Sequence, residues 1–221
     1  MENLKQLISI PSGQASVEGM LEIPEHPLGI VLFAHGSGSS RFSPRNNYVA
    51  RTLRSMRMGT LMLDLLTPQE DQHYQTRFNI ALLTERLAAA VEWLDRTAGS
   101  GGPPLGLFGA STGAAAALQV AGMPGAHIAA LVSRGGRPDL AGNAVLERVH
   151  APTLLIVGGE DKAVLDLNKH AYDAMHCEKR LAVVPGASHL FEEPGALEEV
   201  AEIAGEWLAH HFALQRRQHP R

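Results

Sequence analysis

Short apolar runs that close on Gly, Ser or Asp alternate along this chain with longer stretches whose apolar residues recur at three- and four-residue spacing. No other feature constrains the fold as strongly. Strands that alternate with helices can pair in parallel only when each helix carries the chain back across the sheet. The runs predict strands over 4–10, 15–23, 28–34, 59–65, 104–109, 128–134, 152–158 and 180–185. A short PSGQ turn joins the first two, which are therefore expected to be antiparallel. Helices are expected over 44–57, 75–97, 111–122, 140–148, 166–176 and 195–212. In the second of them Ile80, Leu83, Leu87, Ala90, Val91 and Leu94 make one apolar stripe that would lie on the sheet. The expectation is a single α/β domain over 1–221, with a mostly parallel central sheet of about eight strands and helices on both faces. The glycine-rich AGSGGPP at 98–104 runs straight into a strand and reads as a helix stop and loop, not as a linker between domains.

Charge and cysteine content narrow the function classes. The chain has 19 Lys and Arg against 23 Asp and Glu, a formal net charge of −4, so no basic footprint calls for nucleic acid or an anionic membrane as partner. A small-molecule substrate is the expected ligand, with the protein a monomer or small homo-oligomer. MENLKQLISIPSGQ lacks the plan of an export signal, and no apolar run reaches the roughly 18 residues of a membrane span. A cytoplasmic protein is expected. Cys177 stands alone, which leaves no internal disulfide and no multi-cysteine metal site, and the histidines show no H-E-x-x-H pair. Neither metal nor cofactor is expected. His210 and His211, near the polar C-terminal tail, read as exposed to solvent.

The stretch GLFGASTGAAAA at 106–117 sets Gly109 and Gly113 two positions either side of Ser111, between a strand and a helix. A nucleophile on such a tight turn needs small neighbours, because a side chain at either glycine would collide with backbone. The following helix aims its free N–H groups at the place where an oxyanion would form. A serine needs a base, and His189 lies in PGASHLFEEPG, on a loop after a late strand. The strand TLLIVG runs into GEDKAV and offers Glu160 or Asp161 to orient that imidazole. VLFAHGSGSSR at 31–41 can supply a backbone donor, so the N–H groups of Ser37 and Thr112 are the expected oxyanion hole.

Taken together, HGSGSSR, GASTG, GGEDKAV and PGASHLF make the chain similar to the α/β-hydrolase superfamily, and within it to the small, cap-less, dienelactone-hydrolase-like members. The resemblance spans nearly the whole chain. It implies Asp161 over Glu160 as the acid and a Ser111, Asp161, His189 triad. Dienelactone hydrolases proper carry cysteine in the elbow where this chain has serine, which moves the expected reaction from lactones toward short-chain carboxylic esters cleaved through an acyl-enzyme. Lactone or amide hydrolysis, acyl transfer, or an accessory module without catalysis are the alternatives. The chain also resembles hydrolase-like proteins joined to phosphoribosyltransferase domains, although no transferase segment is seen here.

Further candidates lie on the expected rim. Ser133 and Arg134 close a strand, and Arg134 either holds a substrate carboxylate or is tied to Asp139 or to backbone carbonyls. Arg41 is a second candidate substrate contact, whereas Arg45 and Arg77 read as solvated or structural. Asp64 is expected to cap the turn LLTPQ. Cys177 reads as a bystander thiol.

Overall fold

A computed structural model of the chain describes residues 4–99 and 101–218. Ser100, inside the expected loop 98–104, lies outside the described residues. Eight strands form one sheet: β1 (Leu4–Ser12), β2 (Ala15–Ile23), β3 (Ile30–Ala34), β4 (Gly59–Leu63), β5 (Leu105–Ala110), β6 (Ala130–Arg134), β7 (Thr153–Gly158) and β8 (Lys179–Val184). Their spatial order is β1-β2-β4-β3-β5-β6-β7-β8. β2 runs antiparallel to both of its neighbours, and β3 to β8 are parallel. Every residue of β3, β4, β5, β6 and β7 is buried, as continuous apolar runs covered on both faces require.

The helices are α1 (Pro44–Ser55), α2 (Pro68–Asp71), α3 (Ile80–Ala98), α4 (Thr112–Ala121), α5 (Asn143–Leu146), α6 (Lys162–Ala174) and α7 (Ala196–Gln218). α1 and α7 cover one face around Phe33, Phe108, Val132 and Phe212, while α3, α4 and α6 cover the other around Leu32, Leu107 and Leu131. The expected helix over 75–97 is divided. A 3-10 turn occupies Thr76–Phe78, and α3 starts afresh at Ile80 because the Asn79 side chain accepts the N–H of Leu82 at 3.1 Å and caps it. α6 begins at Lys162, directly after Asp161, and not at 166, and the expected helix over 140–148 shrinks to α5 with a 3-10 turn at Pro138–Leu140. Only residues 135–152 separate β6 from β7, and no large cap sits over the sheet.

The chain leaves β3 in one direction to make β4 and later returns on the other side to make β5. Between the C-terminal ends of β3 and β5 lies the point where strand order reverses, the place in an open α/β sheet where ligands bind. Ala34 pairs with Gly109 there.

Candidate active site

Ser111 follows β5 immediately and precedes α4. Its φ of 50° and ψ of −119° lie in backbone space that a residue with a Cβ enters only under constraint. The constraint comes from its flanks. A Cβ at Gly109 would fall 2.4 Å from Ala114 Cα, and one at Gly113 would fall 2.2 Å from the Ala34 carbonyl oxygen. With hydrogen at both positions, α4 can start against the ends of β5 and β3. The Ser111 N–H donates to the Arg134 carbonyl at 3.2 Å, and the Ser111 carbonyl accepts from Arg137 N–H at 3.1 Å, which fixes the strained turn to the β6 end.

The loop after β3 lies against this turn: a Cβ at Gly36 would sit 3.0 Å from Ser111 Cβ. Two side chains hold the loop. His35 is buried, with Nδ1 2.9 Å from the Gly36 carbonyl and Nε2 accepting the Leu65 N–H at 3.0 Å. Burial pulls its pKa below the usual histidine value. A proton on Nε2 would face the Leu65 donor, so the fold holds the neutral, Nδ1-protonated form. Arg41 is gripped by Asp64, which accepts from its backbone N–H at 2.6 Å and from its guanidinium, and by Glu18 at 2.6 Å. Asp64 therefore does not cap LLTPQ. Thr67 caps α2, in a reciprocal pair with Glu70. The Arg41 guanidinium is spent on two carboxylates and stitches the loop to β2 and β4 instead of facing a ligand. No hydrogen bond among the described residues uses the backbone N–H of Ser37 or Thr112.

On the far side, the acid and histidine turns interlock. Gly158 ends β7 so close to the next turn that a Cβ would lie 2.3 Å from the Ala187 carbonyl oxygen, and Glu160 N–H donates to that oxygen at 3.0 Å. His189 Nδ1 then lies 2.6 Å from Asp161 Oδ2. Glu160 is exposed and plays no part in that contact. The histidine loop is anchored by Phe191, fully buried despite a φ of 55°, and by Glu193, whose carboxyl is held below its usual pKa chiefly by a hydrogen bond with Ser188. The imidazole packs over Gly135, whose Cβ position is 3.4 Å from His189 Cε1. Since the preceding residue, Arg134, holds the Ser111 N–H, Ser111 and His189 flank one short segment. Their side chains make no hydrogen bond to each other among the described residues.

Helix capping sets two of these residues apart. The N-caps Ser43, Thr67 and Asn79 each accept a backbone N–H from the first turn of their helix. Ser111 and Asp161, at the N-caps of α4 and α6, make no such bond. A capping side chain contributes about 1 kcal/mol, so both helices start at a cost in stability and leave a hydroxyl and a carboxylate for other work.

The remaining candidates fall elsewhere. Arg134 is buried and does not touch Asp139, which pairs with Arg137 at 2.7 Å. Desolvation, with Arg45 adding to it, lowers its guanidinium to about 10. Ser133 is buried with an unpartnered hydroxyl, its Oγ 2.0 Å from where a Gly136 Cβ would be. Arg77 is held by Asp71 and Arg45 by Glu192. Cys177 is half-buried, and burial raises its pKa, as suits an inert thiol. His211 is not exposed: only 4% of its surface is accessible, against Trp207 and Glu178. Its burial was missed because the position was judged by its polar neighbours, whereas on α7 it falls on a core-facing stripe. Among the described residues no cluster of three His, Cys, Asp or Glu could hold a metal.

The solved structure of dienelactone hydrolase from Anabaena variabilis superposes with a TM-score of 0.89 at 48% identity, covering 95% of this chain and 99% of that one. The chain belongs to the dienelactone-hydrolase-like α/β-hydrolases. Est1E from Butyrivibrio proteoclasticus, 16% identical with a TM-score of 0.78 over 94% of this chain and 99% of its own, shares the fold. Two Mycobacterium tuberculosis proteins that carry the provisional name phosphoribosyl transferase are 52% identical over 205 residues, 93% of this chain. The chain spans about half the length of these curated relatives, 46%. No protein-family model matches it. Within the dienelactone-hydrolase-like group, this member presents Ser111 at the elbow and joins its acid and histidine turns through the Asp161–His189 contact.

Proposed function

We propose that this α/β-hydrolase is a serine carboxylesterase for small or short-chain substrates, working through an acyl-enzyme. The observation that carries the reading is the 2.6 Å contact between His189 Nδ1 and Asp161 Oδ2, on a loop packed beside a strained Ser111. Asp161 fixes the tautomer that leaves Nε2 as the base, and stabilises the imidazolium once it forms. Ser111 Oγ attacks the ester carbonyl while His189 takes its proton, then returns it to the leaving alcohol as the carbon–oxygen bond breaks. Water repeats the sequence on the acyl-enzyme and releases the acid. The N–H groups of Ser37 and Thr112 receive the oxyanion, with the open end of α4 behind one of them.

Small substrates fit a sheet edge left uncapped, with only residues 135–152 between β6 and β7. A hollow of about 120 Å³ lined by His35, Ser39, Asp64 and Leu66 adjoins the oxyanion loop. A larger one, about 520 Å³, lies at the other end of the sheet by Asp95 and His127, away from the triad. Labelling with a fluorophosphonate probe tests the proposal. Adduct at Ser111, with parallel loss of p-nitrophenyl acetate turnover, is the expected result; an unreactive Ser111 in folded protein would make the chain an accessory module.

A further inference from the structure

Among the described residues the deeply placed guanidinium groups other than Arg134 each meet a carboxylate, even where an Nε is left without a hydrogen bond, as in Arg41 and Arg86. Arg86 is held by Glu70 and the Ser12 carbonyl, Arg54 by Thr60 and Glu22, and Arg41 by Asp64 and Glu18. Arg134 is only 8% exposed, yet among the described residues its Nε and Nη1 are buried with no hydrogen-bond partner, and it makes no ion pair. Its guanidinium lies over a π-face, the Phe191 ring 5.9 Å away. The nearby cation, Arg45, also has a buried Nε without a partner, and spends a single nitrogen on Glu192 at 2.8 Å. A buried charge without a counter-charge is strongly unfavourable, and two like charges sharing such a place make it more so.

We infer that Arg134 and Arg45 form a binding site for a small oxyanion, a carboxylate or phosphate group, beneath the histidine loop. Three observations beyond the orphaned nitrogens place and shape it. Arg134 lies on the sheet face covered by α1, whose second residue is Arg45, and the Phe191 plug closes the third side. The guanidinium fork suits paired oxygens, a match an ammonium could not reproduce. The Arg45–Glu192 pair has side chains 32% and 62% exposed, so it stands between solvent and Arg134, and an entering oxyanion would compete with Glu192 for Arg45. The anion has two possible sources, a carboxylate carried by the substrate or a free ion. The first source rests on the esterase reading, and the site itself does not.

The test separates them. The full chain carrying Ser111→Ala is titrated with inorganic phosphate and with succinate at constant ionic strength, reading Tm, and compared with the same protein carrying Arg134→Gln or Arg45→Gln. Tm is expected to rise with either anion, and the apparent affinity to fall about fivefold or more in each variant. Arg45→Gln, near the surface, keeps the test open should Arg134→Gln not fold. In protein with Ser111 intact, kcat/KM is measured for monomethyl succinate and for methyl butyrate. A loss about tenfold greater on the anionic ester in the Arg134 or Arg45 variant assigns the site to the substrate's carboxylate. Equal losses, with the Tm response retained in the parent, assign it to a free anion. If neither ester is cleaved by the parent while the Tm response persists, the esterase reading fails and the anion site stands. A Tm response that is absent, or identical in parent and folded variants, overturns the proposal.

Discussion

Asp161 reaches His189 Nδ1 at 2.6 Å from the N-cap of α6, a position where its carboxylate accepts nothing from the helix it precedes. An aspartate at that position would ordinarily satisfy a first-turn N–H. This one is turned toward the imidazole.

Asp161→Asn is therefore expected to separate activity from stability. Ester turnover should fall by about 10⁴, since an amide no longer selects the tautomer the base needs. The Tm should hold or rise slightly, because the amide is released to cap α6. Glu160→Gln, in exposed surroundings, should change kcat/KM less than about threefold. Steady-state kinetics and thermal melts on both variants check this, and a larger loss in the Glu160 variant would reassign the acid.

Ser111→Ala should remove turnover by at least about a thousandfold while shifting stability by no more than about 1 kcal/mol. The substitution deletes an oxygen that makes no hydrogen bond within the helix it precedes. Wild-type turnover in this variant would exclude Ser111 as the nucleophile.

The neighbouring glycines should behave in the opposite way. Gly113→Ala places a methyl 2.2 Å from the Ala34 carbonyl oxygen and 2.4 Å from that of His35, with backbone on the other side of both clashes. The cost is expected to be about 2 kcal/mol or more, read by urea unfolding, and the oxyanion loop should be displaced with it. A melt indistinguishable from wild type would mean that α4 shifts freely against β3.

Acid should loosen the same loop through His35. Burial lowers its pKa in the folded protein, while the unfolded chain takes up the proton near the usual value of about 6.5. The unfolded state thus binds more protons below that pH, and unfolding free energy falls as pH drops, by at most about 1.4 kcal/mol per pH unit from this one group. The contribution is fully present above about pH 6.5 and is lost progressively beneath it. His211, lowered mainly by burial, acts with the same sign. Denaturation at pH 7 and pH 5 should show a shallower dependence in His35→Gln, leaving the part due to His211; an unchanged slope would remove His35 from the account.

β3 to β7 were legible because each is an apolar run between turn residues, as burial on both faces demands, while β1, β2 and β8, with exposed residues on one face, were legible from their bounding turns and interspersed apolar residues. The Ser111, Asp161 and His189 turns were legible for a related reason, since each sits where a run stops, and the steric demands of the turns fall on glycines that can be read directly. Contacts between side chains distant in sequence were not legible. Nothing local shows that Asp64 takes Arg41. The pairing of Asp139 with Arg137, two residues away, is local and was missed because only Arg134 was weighed as its partner. Apolar spacing ran across Asn79 without registering its side chain as a cap, which is why one helix was expected where a 3-10 turn and α3 stand. His211 was judged by its polar neighbours, whereas helical phase puts it beside Trp207 and the core.

The turn 109–113 distributes freedom unevenly. Gly109 and Gly113 are locked by backbone atoms within 2.4 Å of any side chain they might acquire, whereas Ser111 carries its Cβ between them at a φ of 50°. The proposed nucleophile is thus the one of these three positions at which the turn already accommodates a side chain. Sterics fix the flanks of the turn, and chemistry is left to choose the side chain at 111.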